Sequence, residues 1–255
     1  MLSDLQQNMN ISVNKYISDT GFCSRREADK LIDQARVTIN DNIALKGDRV
    51  NEGDVVEVDG EPLKKKKTTV YIALNKPKGI TCTTDKKDKT NIVDYLNYSS
   101  RIFPIGRLDK LSEGLIFLTN DGDIVNKILR AGNQHEKEYV VTVDKPITLD
   151  FIKAMRSGVK ILGTTTLPAF VKQEGTHRFR IILTQGLNRQ IRRMAEALDY
   201  RVTALKRVRI MNIALKDLAP GKWRYFTKDE INNINSMVAN SSKTQHSTDN
   251  SGMDE

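Results

Sequence analysis

The chain reads as an α+β protein. It is predicted to hold a mixed, largely antiparallel sheet flanked by helices, preceded by a small N-terminal domain. Three observations lead there. Short runs rich in Val, Ile, Phe and Tyr alternate with amphipathic stretches, but without the regular strand–helix–strand rhythm of a doubly wound sheet. No Gly-rich phosphate loop links a strand to a helix. A run of four lysines, Lys64-Lys65-Lys66-Lys67, separates a short folded stretch from a long one. The expected organisation is a disordered start at 1–10, a first domain at 11–62 and a basic linker at 63–69. A main body at 70–239 follows, then a tail at 240–255 whose polar composition leaves too little apolar surface to order it.

In the first domain, Ser24-Arg25-Arg26-Glu27 forms a capping box, with Ser24 as N-cap and Glu27 three residues on. Ala28, Leu31, Ile32 and Ala35 continue it as an apolar stripe at helical spacing. Short strands are expected at 37–40 and 54–59, with turns at Asp41-Asn42 and at 51–53. In the body, strands are expected at 70–74, 102–106, 114–119, 138–143, 179–184 and 201–210. Helices are expected at 91–98, 123–130, 150–157, 188–198 and 227–238.

Composition narrows the function. Of the 255 residues, 38% are hydrophobic and 29% charged, enough for a core under a wet surface. No apolar run approaches the roughly 18 residues of a membrane span, and MLSDLQQNMN lacks an export profile. Cys23, Cys82 and three scattered histidines fit neither a disulfide framework nor a metal set. These features speak against a membrane protein, a secreted disulfide scaffold and a zinc enzyme. A soluble cytoplasmic protein is expected. The net charge of +9 is unevenly distributed: residues 1–60 carry seven Lys/Arg against eleven Asp/Glu, whereas 61–236 carry thirty-three against eighteen, a net +15. That body charge suits a polyanion.

Four segments carry candidate chemistry. Arg25 and Arg26 occupy a first helical turn, where the dipole disfavours cations, so they make sense facing phosphate. Phe103-Pro104-Ile105-Gly106-Arg107-Leu108-Asp109-Lys110-Leu111-Ser112-Glu113-Gly114 places Asp109 between two apolar strands, beside Arg107 and Lys110. A carboxylate crowded by cations keeps its charge, as a nucleophile or base must; a turn aspartate bonding its own backbone is the plainer reading. Tyr139 starts a strand and suits either base stacking or ordinary sheet packing. In Gln185-Gly186-Leu187-Asn188-Arg189-Gln190-Ile191-Arg192-Arg193-Met194, the residues Ile191, Met194, Ala195 and Leu198 share a core face. Arg189, Arg192, Arg193 and Glu196 share another, as a solvated or an anion-binding stripe.

The N-terminal stretches Lys15-Tyr16-Ile17, Ser24-Arg25-Arg26-Glu27-Ala28, Arg36-Val37-Thr38-Ile39-Asn40 and Gly53-Asp54-Val55-Val56 resemble the S4 (α-L-like) RNA-binding domain in its usual order. With Gly-Arg-Leu-Asp and Arg-Gln-Ile-Arg-Arg-Met, the chain from 11 to 227 closely resembles the RsuA-type pseudouridine synthases. Ala131-Gly132-Asn133-Gln134-His135-Glu136-Lys137-Glu138-Tyr139 and Arg209-Ile210-Met211-Asn212-Ile213 look most like the RluF branch. The resemblance implies Asp109 as the essential aspartate, Tyr139 as the base-stacking tyrosine and Arg192 as the salt-bridge partner of Asp109. It further implies RNA contacts from Lys15, Arg25, Arg26 and Lys30 in the first domain. In the body, Arg107 would sit in the RNA-contacting loop, with Lys110, Arg189 and Arg193 as additional RNA contacts.

The implied reaction turns uridine in RNA into pseudouridine, with no cofactor and no metal. The implied substrate is a stem-loop of bacterial 23S ribosomal RNA, with a tyrosine tRNA as a second candidate and the protein acting as a monomer. The aspartate could add to C1′, attack the base or remove a sugar proton; the sequence leaves the three open. A non-catalytic RNA-binding or ribosome-assembly protein and a nucleosidase-like hydrolase are the competing readings. The first leaves the order of the motifs unexplained. The second usually needs two carboxylates, and only one is well placed.

Overall fold

The computed structural model describes residues 10–64, 68–129 and 135–239. The ends expected to be disordered, 1–9 and 240–255, lie outside the described residues, as do Lys65, Lys66 and Lys67 of the hinge and the stretch Ala131-Gly132-Asn133-Gln134. Two units emerge, Met1–Thr69 with Tyr98–Ile102, and Val70–Asn97 with Phe103–Glu255.

The first unit contains β1 (Ile11–Ser12), α1 (Val13–Thr20), α2 (Arg25–Asp33), β2 (Val37–Ile39), β3 (Asn42–Ile43), β4 (Arg49–Val50), β5 (Val56–Val58) and β6 (Glu61–Pro62). The capping box forms in both directions: the Ser24 hydroxyl accepts from the Glu27 amide at 3.2 Å, and the Glu27 carboxylate accepts from the Ser24 amide at 2.8 Å. Ala28 and Ile32 are buried in one cluster with Val13, Tyr16 and Ile17 of α1. Ala35 leaves the expected stripe. The helix stops at Asp33, and Ala35 lies exposed in the left-handed region at φ 54. The first hairpin turns one residue earlier than expected, with Asn40 and Asp41 both at positive φ, as a two-residue turn between twisted strands requires. The sheet order is β3-β2-β5-β6, all antiparallel, and β1 pairs with β4.

The second unit holds β7 (Tyr71–Lys76), α3 (Ile92–Leu96), β8 (Phe103–Ile105), β9 (Glu113–Thr119), α4 (Gly122–Leu129), β10 (Lys137–Val143) and α5 (Leu149–Ser157). Then come β11 (Lys160–Ile161), β12 (Thr164–Thr165), β13 (Phe170–Gly175), β14 (Arg178–Leu183), α6 (Gln190–Ala197), β15 (Val202–Ile210), β16 (Ile213–Ala214), β17 (Trp223–Tyr225) and α7 (Lys228–Val238). The main sheet runs β13-β14-β10-β15-β9-β7-β17, with β16 on β15 and β8 on β9. Every pairing in it is antiparallel except β15 with β9. The mixed, largely antiparallel sheet is therefore what the sequence predicts. In this unit the strands it does not predict are β11, β12 and β16, too short to show an alternation, and β13 and β17 at the sheet's edges. β13 buries little beyond Val171, so its sequence has no apolar period to read.

Two apolar clusters cover the sheet. One gathers Val141, Ile181, Val171 and Leu205 under Phe151 and Met155 of α5 and Ile191, Met194 and Ala195 of α6. The other gathers Ala73, Leu115, Phe117 and Ile210 with Ile124 and Ile128 of α4 and Ile234 and Val238 of α7. The parallel joint between β9 and β15 is where the active elements meet. The loop before β9 carries Asp109, and Tyr139 on β10 lies across from Arg207 on β15. Gly114 makes the close approach there. At φ +110, a Cβ on it would lie 2.2 Å from the Arg207 carbonyl oxygen.

Candidate active site

Asp109 sits in the connection between β8 and β9, in a turn closed by the Ser112 amide donating to the Asp109 carbonyl at 3.0 Å. Gly79 donates its amide to the Lys110 carbonyl at 2.8 Å. Below it the fully buried Lys76 ammonium donates to the carbonyls of Pro77 and Ile80, each at 2.9 Å. Burial pushes the Lys76 pKa down, and Asp109 counters part of that. The Leu108 amide donates to the buried Cys82 sulfur at 3.3 Å. Burial also pushes the Cys82 thiol pKa up. The bonds of Gly79 to Lys110, Ser112 to Asp109 and Leu108 to Cys82 hold the backbone of the aspartate turn.

The carboxylate side chain is 32% exposed and faces two guanidiniums. Arg192 Nε lies 3.5 Å from Asp109 Oδ2, and Arg189 Nη1 lies 3.7 Å from the same oxygen. The two arginines differ in kind. Arg192 is buried and tied down, donating from Nη1 to the Val202 carbonyl and from Nη2 to the Ser112 hydroxyl, each at 3.1 Å. Its Nε is the atom left for Asp109, which it meets as an ion pair rather than a hydrogen bond. Arg189 is exposed and precedes α6 in the left-handed region, at φ 51.

The expected arginine stripe on α6 is thereby corrected. The helix begins at Gln190, Arg192 turns inward with Ile191, and Arg193 folds back to donate to the Asn188 carbonyl and side-chain oxygen. The left-handed residue at Arg189 breaks the helical line on which the three arginines were to lie. Within the helix itself, only Glu196 of the expected stripe stays exposed.

An open cleft lies over these groups, lined among others by Arg107, Asp109, Tyr139, Leu183, Arg189 and Leu205. Asp109, Tyr139 and Arg192 thus meet in one place, with Arg107 and Arg189 at its wall. Lys110 is exposed and lies outside the cleft lining. In the first unit Arg25, Arg26 and Lys30 are exposed, whereas Lys15 is engaged by Asp19 at 2.6 Å.

Sequence reading misses the supporting cast: Ser112, Lys76, Gln190 and Arg207, all buried. Gln190 accepts from the Leu187 amide at 3.1 Å and so shapes the cleft wall. A buried polar residue gives no period to detect; only its position inside a motif marked Ser112 and Gln190. Among the described residues, no group of three or more His, Cys, Asp or Glu could hold a metal ion.

The RNA pseudouridylate synthase family model matches residues 70–197 and the S4 domain model residues 13–56. The dual-specificity RNA pseudouridine synthase RluF of Escherichia coli strain K12 is 56% identical, over 91% of this chain and 81% of that protein. The ribosomal large subunit pseudouridine synthase B of Bacillus subtilis strain 168 is 32% identical, over 89% of this chain and 96% of that one. A crystal structure of a pseudouridylate synthase aligns with a TM-score of 0.66 at 29% identity, over 88% of this chain and 99% of the other. The chain belongs to the RsuA-type RNA pseudouridine synthases with an N-terminal S4 domain, in their RluF branch, and is an enzyme that isomerises uridine in RNA.

Proposed function

We propose that Asp109 acts on an extruded uridine at its sugar–base junction, with Tyr139 as the stacking surface and Arg192 as the fixed counter-ion. The observation that carries this reading is the Asp109 carboxylate, 3.5 Å from a buried, doubly anchored guanidinium yet open to the cleft that Tyr139 lines. A base cannot react inside a stack, and flipping it costs a few kcal/mol. Stacking on an aromatic ring returns about 1–3 kcal/mol per base. Arg107 and Arg189, both on the cleft wall, suit the phosphates that flank the flipped nucleotide. Arg25, Arg26, Lys30 and Lys15 on the S4 unit, and Lys110 and Arg193 on the second unit, are the further RNA contacts of this reading. RNA is selected by the shape of a stem-loop rather than by groove reading.

The substrate class follows the relatives' names. Large-subunit ribosomal RNA is the proposed target, as named for the B. subtilis relative; the dual specificity named for the E. coli relative supports a second RNA substrate, for which we propose a tyrosine tRNA. No helix among the described residues is long and apolar enough to cross a membrane, in keeping with a cytoplasmic enzyme, which we take to work as a monomer. The test is pseudouridine mapping of ribosomal RNA and tRNA from a deletion strain, with the gene restored as wild type or as Asp109→Asn. The wild-type gene is expected to restore the missing modification. Asp109→Asn is expected to restore none while RNA affinity stays within about threefold. Turnover by Asp109→Asn would remove the aspartate from its role.

A further inference from the structure

We propose that Arg207 is a positioning residue that makes the Tyr139 ring a platform for a base carrying negative charge. The inference rests on the reading that Tyr139 stacks the flipped uracil. In routes that start at the sugar, the N1–C1′ bond breaks with its electron pair leaving on the base. That gives a uracil anion until C5 bonds to C1′ and the C5 proton is released, with N1 taking one up. An aromatic face is itself negative and a poor surface for such an anion. A cation behind the ring reverses that disadvantage.

Arg207 is placed to be that cation. It is 3% exposed and does not line the cleft, whereas its cross-strand partner Tyr139 does. Its guanidinium carbon lies 6.0 Å from the centroid of the Tyr139 ring. Nε donates to the Leu115 carbonyl at 2.7 Å, which fixes the plane of the group. Nη2 is buried and has no hydrogen-bond partner among the described residues. A buried charge left partly unpaired is costly, and simple packing would be served better by an apolar side chain. The fold also invests a glycine here: Gly114 admits the Arg207 backbone at a distance no Cβ would tolerate. The positive field is felt by neighbours on the same floor. Burial first, then Arg207, pushes Lys137 down to about 8.

The test compares wild type, Arg207→Lys and Arg207→Met in single-turnover consumption of a target stem-loop carrying uridine or 5-fluorouridine. Fluorine stabilises the departing anion, so it substitutes in part for the lost cation. Arg207→Met is expected to slow the uridine substrate about 30-fold with RNA affinity within about twofold. With 5-fluorouridine the defect is expected to shrink to about fivefold, and Arg207→Lys to recover most of the uridine rate. An equal defect on both bases, or none on either, overturns the inference. Where Arg207→Met does not fold by circular dichroism, Arg207→Gln takes its place with the same two outcomes. Tyr139→Leu run alongside separates the two claims. If it leaves the rate intact, the stacking reading itself falls. If it is slow while Arg207→Met is as fast as wild type, only the role of Arg207 falls.

Discussion

Replacing Arg192 by Met removes the one group that touches three parts of the site at once. The side chain is 10% exposed and donates two 3.1 Å hydrogen bonds, to the Val202 carbonyl and to the fully buried Ser112 hydroxyl. A buried acceptor left without its donor costs about 1–3 kcal/mol. The Ser112 hydroxyl can rotate toward another partner, so two such losses are expected to total about 2–4 kcal/mol. The ion pair with Asp109 adds nothing to this figure, because the carboxylate is a third exposed and solvent screens it. With a urea slope of about 2 kcal/mol per molar, the unfolding midpoint should fall by about 1–2 M. Trp223, the only tryptophan, lies in the second unit and reports its unfolding by fluorescence. Turnover should fall further than stability, by about a hundredfold to a thousandfold, because the carboxylate loses its fixed partner. Arg192→Lys keeps the charge but reaches fewer of the three partners, so it should recover part of the stability and little of the rate. A midpoint shift under about 0.5 M together with turnover within tenfold of wild type would refute the reasoning.

Gly114→Ala is expected to cost about 3–5 kcal/mol in the same urea experiment, since it combines positive-φ strain with overpacking against the Arg207 backbone; a loss under about 1 kcal/mol would mean the β9–β15 joint yields easily. Arg25→Ala with Arg26→Ala should reduce the salt slope of RNA binding by about two units, and an unchanged slope would show that neither meets a phosphate. Lys137 sets a pH dependence. Its folded pKa of about 8 lies below the 10.5 of the free side chain, so the unfolded chain binds more protons between those values. Stability from this group therefore rises with pH from about 8 to about 10.5. Lys137→Met should raise stability near pH 7 by about 1–2 kcal/mol, after loss of the bond to the His135 carbonyl, and flatten that rise. Thermal melts of the two proteins from pH 7 to pH 10 give the check, and parallel curves would contradict it.

Much of the fold was legible because its signals are local. The α2 capping box and the apolar period of α6 are written in neighbouring residues, and the structure places α2, α6 and α7 within a residue or two of expectation. Apolar runs rich in Val, Ile, Phe and Tyr marked β9, β10, β14 and β15 in the same way. What failed was local in appearance only. Ala35 continued a helical period past a helix that had ended, and Arg189 interrupted one by adopting φ 51. The edge strands β13 and β17 exist because a neighbour offers hydrogen bonds, and no alternation of their own announces them.

The sequence by itself determined which chemistry was on offer: one aspartate in a strand connection, one tyrosine opening a strand, an arginine-rich segment and a basic body. Motif order was enough to pair Asp109 with Arg192 across 83 positions of chain, because that order mirrors the family pattern. Only the tertiary structure decided how each charge is used. Of three arginines in one motif it buried Arg192 against Ser112 and Val202, left Arg189 exposed beside Asp109, and bent Arg193 back onto Asn188. It also brought Arg207 beneath Tyr139 through the pairing of β10 with β15. Identical side chains acquire different roles when burial, strand register and a single left-handed residue set what surrounds them, and none of those three is a property of the residue alone.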